Sequence, residues 1–376
     1  MSAAIPMLDL PRLHRPLATA FHGALDELLE SGAFIGGEAV ARFESELAAR
    51  VGAAHAVGTS SGTDALLAGL MALGLKPGDE IATTPYTFFA TAGVIHRQGA
   101  KPVFADIDPA TFNVDPAALE AAITPRTVGI VPVHLFGQCA DMGRILDTAA
   151  RHGLWVLEDA AQAIGAQHGG RQAGTMGALG AFSFFPAKNL GALGDGGAVV
   201  TNDAALADRL RVLREHGARP RYHHALVGGN FRLDALQAAF LSAKLPALAG
   251  WEEGRRRVVA RYGELLAGVR DLVLPDEMPG NRHVWNQYVV RTPRREAVVR
   301  ALASAGVGHA VYYPVPLHLQ ECFAALGYEA GAFPESERAA RETLALPIDP
   351  LLEAVDQERV AAAVRGALED TKKGDT

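Results

Sequence analysis

The chain has 376 residues, 49% of them hydrophobic, with 40 glycines and a formal net charge of −7. At about 150 residues per domain this is two to three domain lengths, and the composition suits a compact enzyme, neither disordered nor fibrous. The acidic balance, with no basic block longer than Arg255-Arg256-Arg257, argues against nucleic acid as a partner.

The two cysteines, Cys139 and Cys322, are too few for a disulfide framework and suit a reducing compartment. Met1–Pro6 lacks the basic segment and apolar core of a signal peptide. No uninterrupted apolar run approaches the roughly 20 residues of a membrane span. A cytoplasmic protein with no membrane partner is therefore expected.

In chain order, residues 16–50 read as helical, broken at Ser31-Gly32. From 51 to 200, short apolar strands alternate with helices. Strands are expected at Ala54–Val57, Glu80–Thr83, Lys101–Ala105, Val128–Val133, Trp155–Glu158 and Ala198–Thr201. Helices are expected at Thr63–Leu73, Thr91–Gln98, Pro116–Ala122 and Asp141–His152. This alternation spells an α/β fold, a mostly parallel sheet with helices on both faces.

A long helical stretch, Arg232–Leu266, follows and should break at Pro246. A strand at His283–Arg291, a helix at Arg294–Ala305, a proline-rich turn at Val311–Leu319 and two further helical segments complete a smaller α+β domain from about residue 246. The last residues, Glu369–Thr376, read as a frayed tail.

Four segments carry chemistry. Gly58-Thr59-Ser60-Ser61-Gly62-Thr63-Asp64 joins a strand to a helix. Its backbone N–H groups can hold a phosphate, although Ser61-x-x-Asp64 also spells a capping box. Trp155–Gln162 is an apolar strand ending in Asp159. That carboxylate stands at the sheet edge where open α/β folds bind ligands, or else caps a following helix.

The third segment is Phe182–Gly191, running into Gly194-Asp195-Gly196-Gly197. It holds Ser183 and, five residues on, Lys188 in an aromatic run. Of six lysines, Lys188 alone reads as set where desolvation would leave a nucleophilic amine. The plainer alternative is a stem packed on aromatics with its head in water. The fourth segment, Gly228–Asp234, offers Asn230 to a phosphate and Arg232 to an anion, or is a surface turn into a helix. His134 ends a strand near the expected cleft, facing substrate or packing. His216, His223 and His224 lack metal-like spacing, and no metal is expected.

A phosphate cradle, a strand-end carboxylate and a buried lysine 29 residues later are together what pyridoxal 5'-phosphate requires. At that point the chain resembles the DegT/StrS-type nucleotide-sugar aminotransferases, within the fold-type-I pyridoxal-phosphate enzymes. The likeness runs from about Ile5 to Val364, through SSGTDAL, PVHLFG, EDAAQA, SFFPAKNLGALGDGG, GGNFRLDALQAA and YYPVPLHLQ.

The resemblance implies a large α/β/α sandwich domain, residues 16–245, and a small C-terminal domain, 246–376, with 1–15 packed between them. It implies that Lys188 forms the imine and shuttles protons, Asp159 pairs with the pyridinium nitrogen, and Gln162 contacts the ring hydroxyl. Gly62, Thr63 and Ser183 would hold the phosphate. Phe88 would stack on the ring, with Phe89 a close competitor. Asn230 would reach the phosphate of a neighbouring subunit in a homodimer. Arg232, Tyr312 and Tyr313 would face substrate.

Relatives often carry histidine at the positions of Tyr312 and Asn286, both expected on the substrate side. The presence of Lys188 argues against the family's dehydratase branch, which has histidine there. The implied reaction is ping-pong transfer of an amine from L-glutamate to the ring ketone of a nucleotide-linked keto-sugar. A UDP-linked 3-keto sugar ranks first, a 4-keto sugar second and an amino-cyclitol ketone third. A cofactor-bound sensor without turnover is the alternative from another class, and an enzyme acting on plain amino acids is a third reading.

Overall fold

The computed structural model describes residues 4–369. Of the tail, only Glu369, the last residue of a helix, falls among them, and residues 370–376 lie outside. The strands are β1 His55–Thr59, β2 Glu80–Thr83, β3 Lys101–Phe104, β4 Thr127–Ile130, β5 Trp155–Asp159 and β6 Gln167–His168. They continue as β7 Arg171–Gln172, β8 Leu179–Ser183, β9 Gly197–Thr201, β10 Asn281–Arg282, β11 Tyr288–Arg291 and β12 Thr343–Leu346.

Seven strands form the main sheet in the order β1-β9-β8-β5-β4-β2-β3. Six run in one direction. Only β9 is reversed, antiparallel to both β1 and β8. Successive side chains point to opposite faces. Ala56, Val156 and Val200 join one core with the helices Gly37–Val51, Met142–His152 and Ala235–Lys244. Val57, Leu157 and Val199 join another with Gly62–Ala72, Ala90–Arg97 and Ala204–Leu213. The result is the expected α/β/α sandwich.

A third core lies between the β11–β12 pair and the helices Leu248–Leu266, Arg295–Ser304 and Ala354–Glu369. Ile5 is buried in it and pairs with Val307, so the N-terminal segment packs here. Strands β10, β6 and β7 form a small sheet that joins this half to the sandwich.

The local signals behaved as their chemistry requires. The first helical stretch divides into Ala18–Ser31 and Gly37–Val51, where Gly32 closes a helix in the left-handed region (φ 66°). The long stretch divides at Pro246, through a 3₁₀ turn at Leu245–Ala247. Five strands went unforeseen, the two-residue β6, β7 and β10 together with β8 and β12. β8, Leu-Gly-Ala-Phe-Ser, is too rich in small residues to read as a strand, and β12 follows directly from the helix Pro334–Glu342. The strand expected from His283 starts only at Tyr288. Its first residues instead bond the 136–137 turn, Val284 N donating to Gly137 O at 2.9 Å and Asn286 N to Phe136 O at 2.9 Å.

Candidate active site

Parallel strands bring their carboxyl ends to one edge. β5 and β8 are parallel neighbours, so Asp159 and Ser183 end side by side. The helix Gly62–Ala72 delivers its N-terminus to the same edge, and the loop between β8 and β9 carries Lys188 over it. Gly62, Thr63, Phe88, Asp159, Gln162, Ser183, Lys188, Tyr312 and Tyr313 line one cavity of about 450 Å³.

Asp159 is 5% exposed. Its Oδ2 accepts from Thr91 Oγ1 at 2.8 Å and its Oδ1 from Ala161 N at 3.2 Å. The segment after it is turns, so it caps no helix. Burial pushes its carboxyl up, against the pull of those donors and of the Lys188 charge. Thr91 is itself held by Thr87 at 3.2 Å, four residues earlier. That i, i+4 threonine pair is the signal by which this support could have been found.

Lys188 is half-buried in the cavity wall. Burial lowers its amine from 10.5 to about 8, with Asp159 pulling the other way. Near neutral pH an appreciable fraction is then the free, nucleophilic amine. It is not the only desolvated lysine, as the sequence suggested. Lys244 is 3% exposed and is also lowered to about 8 by burial, but it lies outside the cavity.

The capping reading of the cradle holds, and it leaves the helix start open to the cavity. Ser61 Oγ accepts from Asp64 N at 3.0 Å, which caps the helix. The first N–H groups, of Gly62 and Thr63, find no partner within the helix, and both residues line the cavity. A methyl built on Gly62 would lie 2.5 Å from Ser183 Cβ, so only glycine lets these two segments approach this closely. Backbone donors, a hydroxyl, a lowered amine and a desolvated carboxylate form the donor set that pyridoxal 5'-phosphate needs.

Phe88 lines the cavity, whereas Phe89 stacks on Phe323 with centroids 5.6 Å apart. The geometry therefore separates these competitors in favour of Phe88. Gln162 Oε1 accepts from Phe136 N at 2.6 Å, and its Nε2 donates to Tyr313 OH at 3.1 Å. The Tyr312 carbonyl accepts from Tyr86 OH at 2.5 Å. Thr87, Asp195 and Gln287 also line the cavity and were not singled out from sequence.

Two expectations are corrected. His134 does not line the cavity and is wholly buried. Its Nδ1 accepts from Ala140 N at 3.2 Å, leaving Nε2 to donate to Glu158 Oε2 at 2.8 Å. That carboxylate also accepts from the backbone N–H groups of Gly174, Met176 and Gly177. Histidine here satisfies a buried charge. Arg232 also stays out of the cavity of its own chain, because Nη1 donates to Glu215 Oε2 at 3.0 Å. Asn230 is exposed and lies outside the cavity as well.

Among the described residues, no helix is long and apolar enough to cross a membrane. Residues 17–365 match the DegT/DnrJ/EryC1/StrS aminotransferase family. A "pleiotropic regulatory protein" of Geobacillus stearothermophilus is 50% identical over 96% of this chain and 97% of its own. The UDP-N-acetyl-3-dehydro-alpha-D-glucosamine 3-aminotransferase of Acidithiobacillus ferrooxidans is 45% identical over 98% and 99%. The crystal structure of NtdA from Bacillus subtilis, with its cofactor PMP bound, superimposes with a TM-score of 0.91 at 32% identity, covering 98% of this chain and 86% of that one. The chain belongs to the DegT/DnrJ/EryC1/StrS aminotransferase family and is a transaminase that uses pyridoxal phosphate.

Proposed function

We propose that this enzyme transfers the amino group of L-glutamate to the ring ketone of a nucleotide-linked keto-sugar, a UDP-linked 3-keto sugar first. The observation that carries the reading is that Lys188 and Asp159 line one cavity, each desolvated and each felt by the other's charge. The 3-position rests on the Acidithiobacillus relative, whose name gives a UDP-linked 3-dehydro sugar as its substrate. The alternatives are a 4-keto sugar and an amino-cyclitol ketone.

Pyridoxal phosphate supplies an electron sink next to the amino carbon. The chain's own residues do the rest. Gly62, Thr63 and Ser183 hold the phosphate by hydrogen bonds. Asp159, kept dry and bonded to Thr91, places a negative charge for the ring nitrogen. Phe88 would cover one face of the ring, and Gln162 and Tyr313 would hold its edge. The Lys188 amine, of which a minor fraction is free at pH 7, would hold the cofactor aldehyde and would then take and return the proton at the amino carbon. Tyr312 lines the substrate side.

The reading includes a homodimer with shared sites. Lys188 is the only cationic side chain among the described residues that line the cavity, yet glutamate and a nucleoside diphosphate carry several negative charges. Asn230 and Arg232 of a second copy would supply the missing partners. Phe34, Ile35, Leu193 and Leu236 are exposed together and support such contact. Ala235 N donates to Phe34 O, and Leu193 N to Gln237 Oε1. The division at residue 245/246 belongs to the same proposal, supported by the separate core beyond it.

The test is mass spectrometry after incubation with glutamate and a panel of UDP- and dTDP-linked 3-keto and 4-keto sugars. A product with amine in place of ketone names base and ring position. Turnover only with small keto acids would overturn the sugar reading. The regulatory name of the Geobacillus relative favours a second reading, a cofactor-bound sensor. An unchanged cofactor absorbance on adding glutamate would establish that instead.

A further inference from the structure

Lys188 stands at the tip of a tight turn. Its N–H donates to Phe185 O at 2.8 Å, and Ala192 N donates to Phe184 O at 2.7 Å. The turn closes on itself so tightly that a methyl on Gly191 would lie 2.2 Å from Pro186 O. Two buried side chains outside the cavity fasten it to the rest of the molecule.

The first is Lys244, at the end of the helix Ala235–Lys244. Its Nζ donates to Gly191 O and, at 3.1 Å, to His14 Nε2. The rings of Phe240 and Trp251 lie 5.4 and 5.5 Å from it. Burial and the Lys244 charge hold the His14 imidazole below its ordinary range, which leaves a lone pair free to accept. A methionine would fill this space without the cost of burying a charge. What the ammonium adds is its hold on Gly191 and His14.

The second is Asn286, 5% exposed. It donates from Nδ2 to Asn189 Oδ1 at 3.0 Å, and Asn189 Nδ2 donates to Val284 O at 2.9 Å. Asn286 does not line the cavity, although its neighbour Gln287 does. It grips the residue next to Lys188.

We propose that Lys244 and Asn286 are positioning residues for Lys188. They hold the 184–192 turn at Gly191 and Asn189 and so fix where the amine stands against Asp159. The test combines hydrogen–deuterium exchange of the apoenzyme with a pH titration of the holoenzyme's visible absorbance. The variants are Lys244→Met and Asn286→Ala. Leu302→Ala, in the third core, controls for general loss of stability.

In both variants, peptides covering 184–192 should exchange about tenfold faster, the factor expected for one lost hydrogen bond of ordinary strength. Other segments should exchange as in the wild type. The absorbance midpoint should move, and kcat should fall by about tenfold with the glutamate KM unchanged. Exchange no faster than in Leu302→Ala, or an unmoved midpoint, overturns the proposal. If Lys244→Met does not fold, Asn286→Ala, which removes only a neutral hydrogen bond, decides alone.

Discussion

Replacing Lys188 by methionine should abolish turnover and at the same time stabilise the apoenzyme. The cavity lowers this amine from 10.5 to about 8. At 1.36 kcal/mol per pH unit, that drop corresponds to about 3 kcal/mol of disfavoured protonation in the fold. The sign follows from proton counting. Between about 8 and 10.5 the unfolded chain binds more protons at Lys188 than the native one, so native stability rises with pH there. Below about 8 the whole penalty is present. Methionine removes it but also removes a charge that favours ionised Asp159, which trims the gain. Urea unfolding of both apoproteins at pH 6.5, 8 and 10 measures the difference. The variant should be more stable by about 2–3 kcal/mol at pH 6.5, with the gap closing toward pH 10. A variant less stable than wild type at pH 6.5, or a gap independent of pH, would refute the desolvated-amine account.

Asp159→Asn keeps the shape but removes the charge placed for the ring nitrogen, so kcat should fall by about 10²–10³-fold. Because burial raises this carboxyl, the apo variant should gain stability over wild type as pH climbs above the ordinary carboxylate range; near-wild-type kcat would count against the assigned role. Gly62→Ala forces a methyl against Ser183 and should cost about 1–3 kcal/mol together with weaker cofactor binding, read by urea unfolding and fluorescence titration. His134→Ala leaves the buried Glu158 carboxylate short of a donor, so it should lose about 3 kcal/mol of stability, while the sugar KM stays unchanged in steady-state assays. Ile35→Asp or Leu236→Asp should shift sedimentation from dimer to monomer and abolish activity; an intact dimer would remove the shared-site reading.

What the sequence by itself determined was local. Alternating apolar strands and helices gave the sandwich, because burial on both faces demands that periodicity. Gly32 and Pro246 placed the helix breaks, since backbone freedom and a missing N–H act at their own positions. The strand-end Asp159, the helix-start Gly62-Thr63 and the lysine set among aromatics each carry their chemistry in a few adjacent residues.

What only the tertiary structure decided was which side chains meet across distant segments. His134 and Glu158 lie 24 residues apart and bond as neighbours on adjoining strand ends. Thr91 reaches Asp159 from 68 residues away. Asn286 reaches Asn189 across 97 residues. Nothing in the sequence marks Lys244 as buried, yet the packing of its helix on the sandwich places it beneath the active-site turn. Sheet order brings such groups together through hydrophobic packing that is not directional. A residue's neighbours in the chain therefore say little about which of its polar atoms will find a partner.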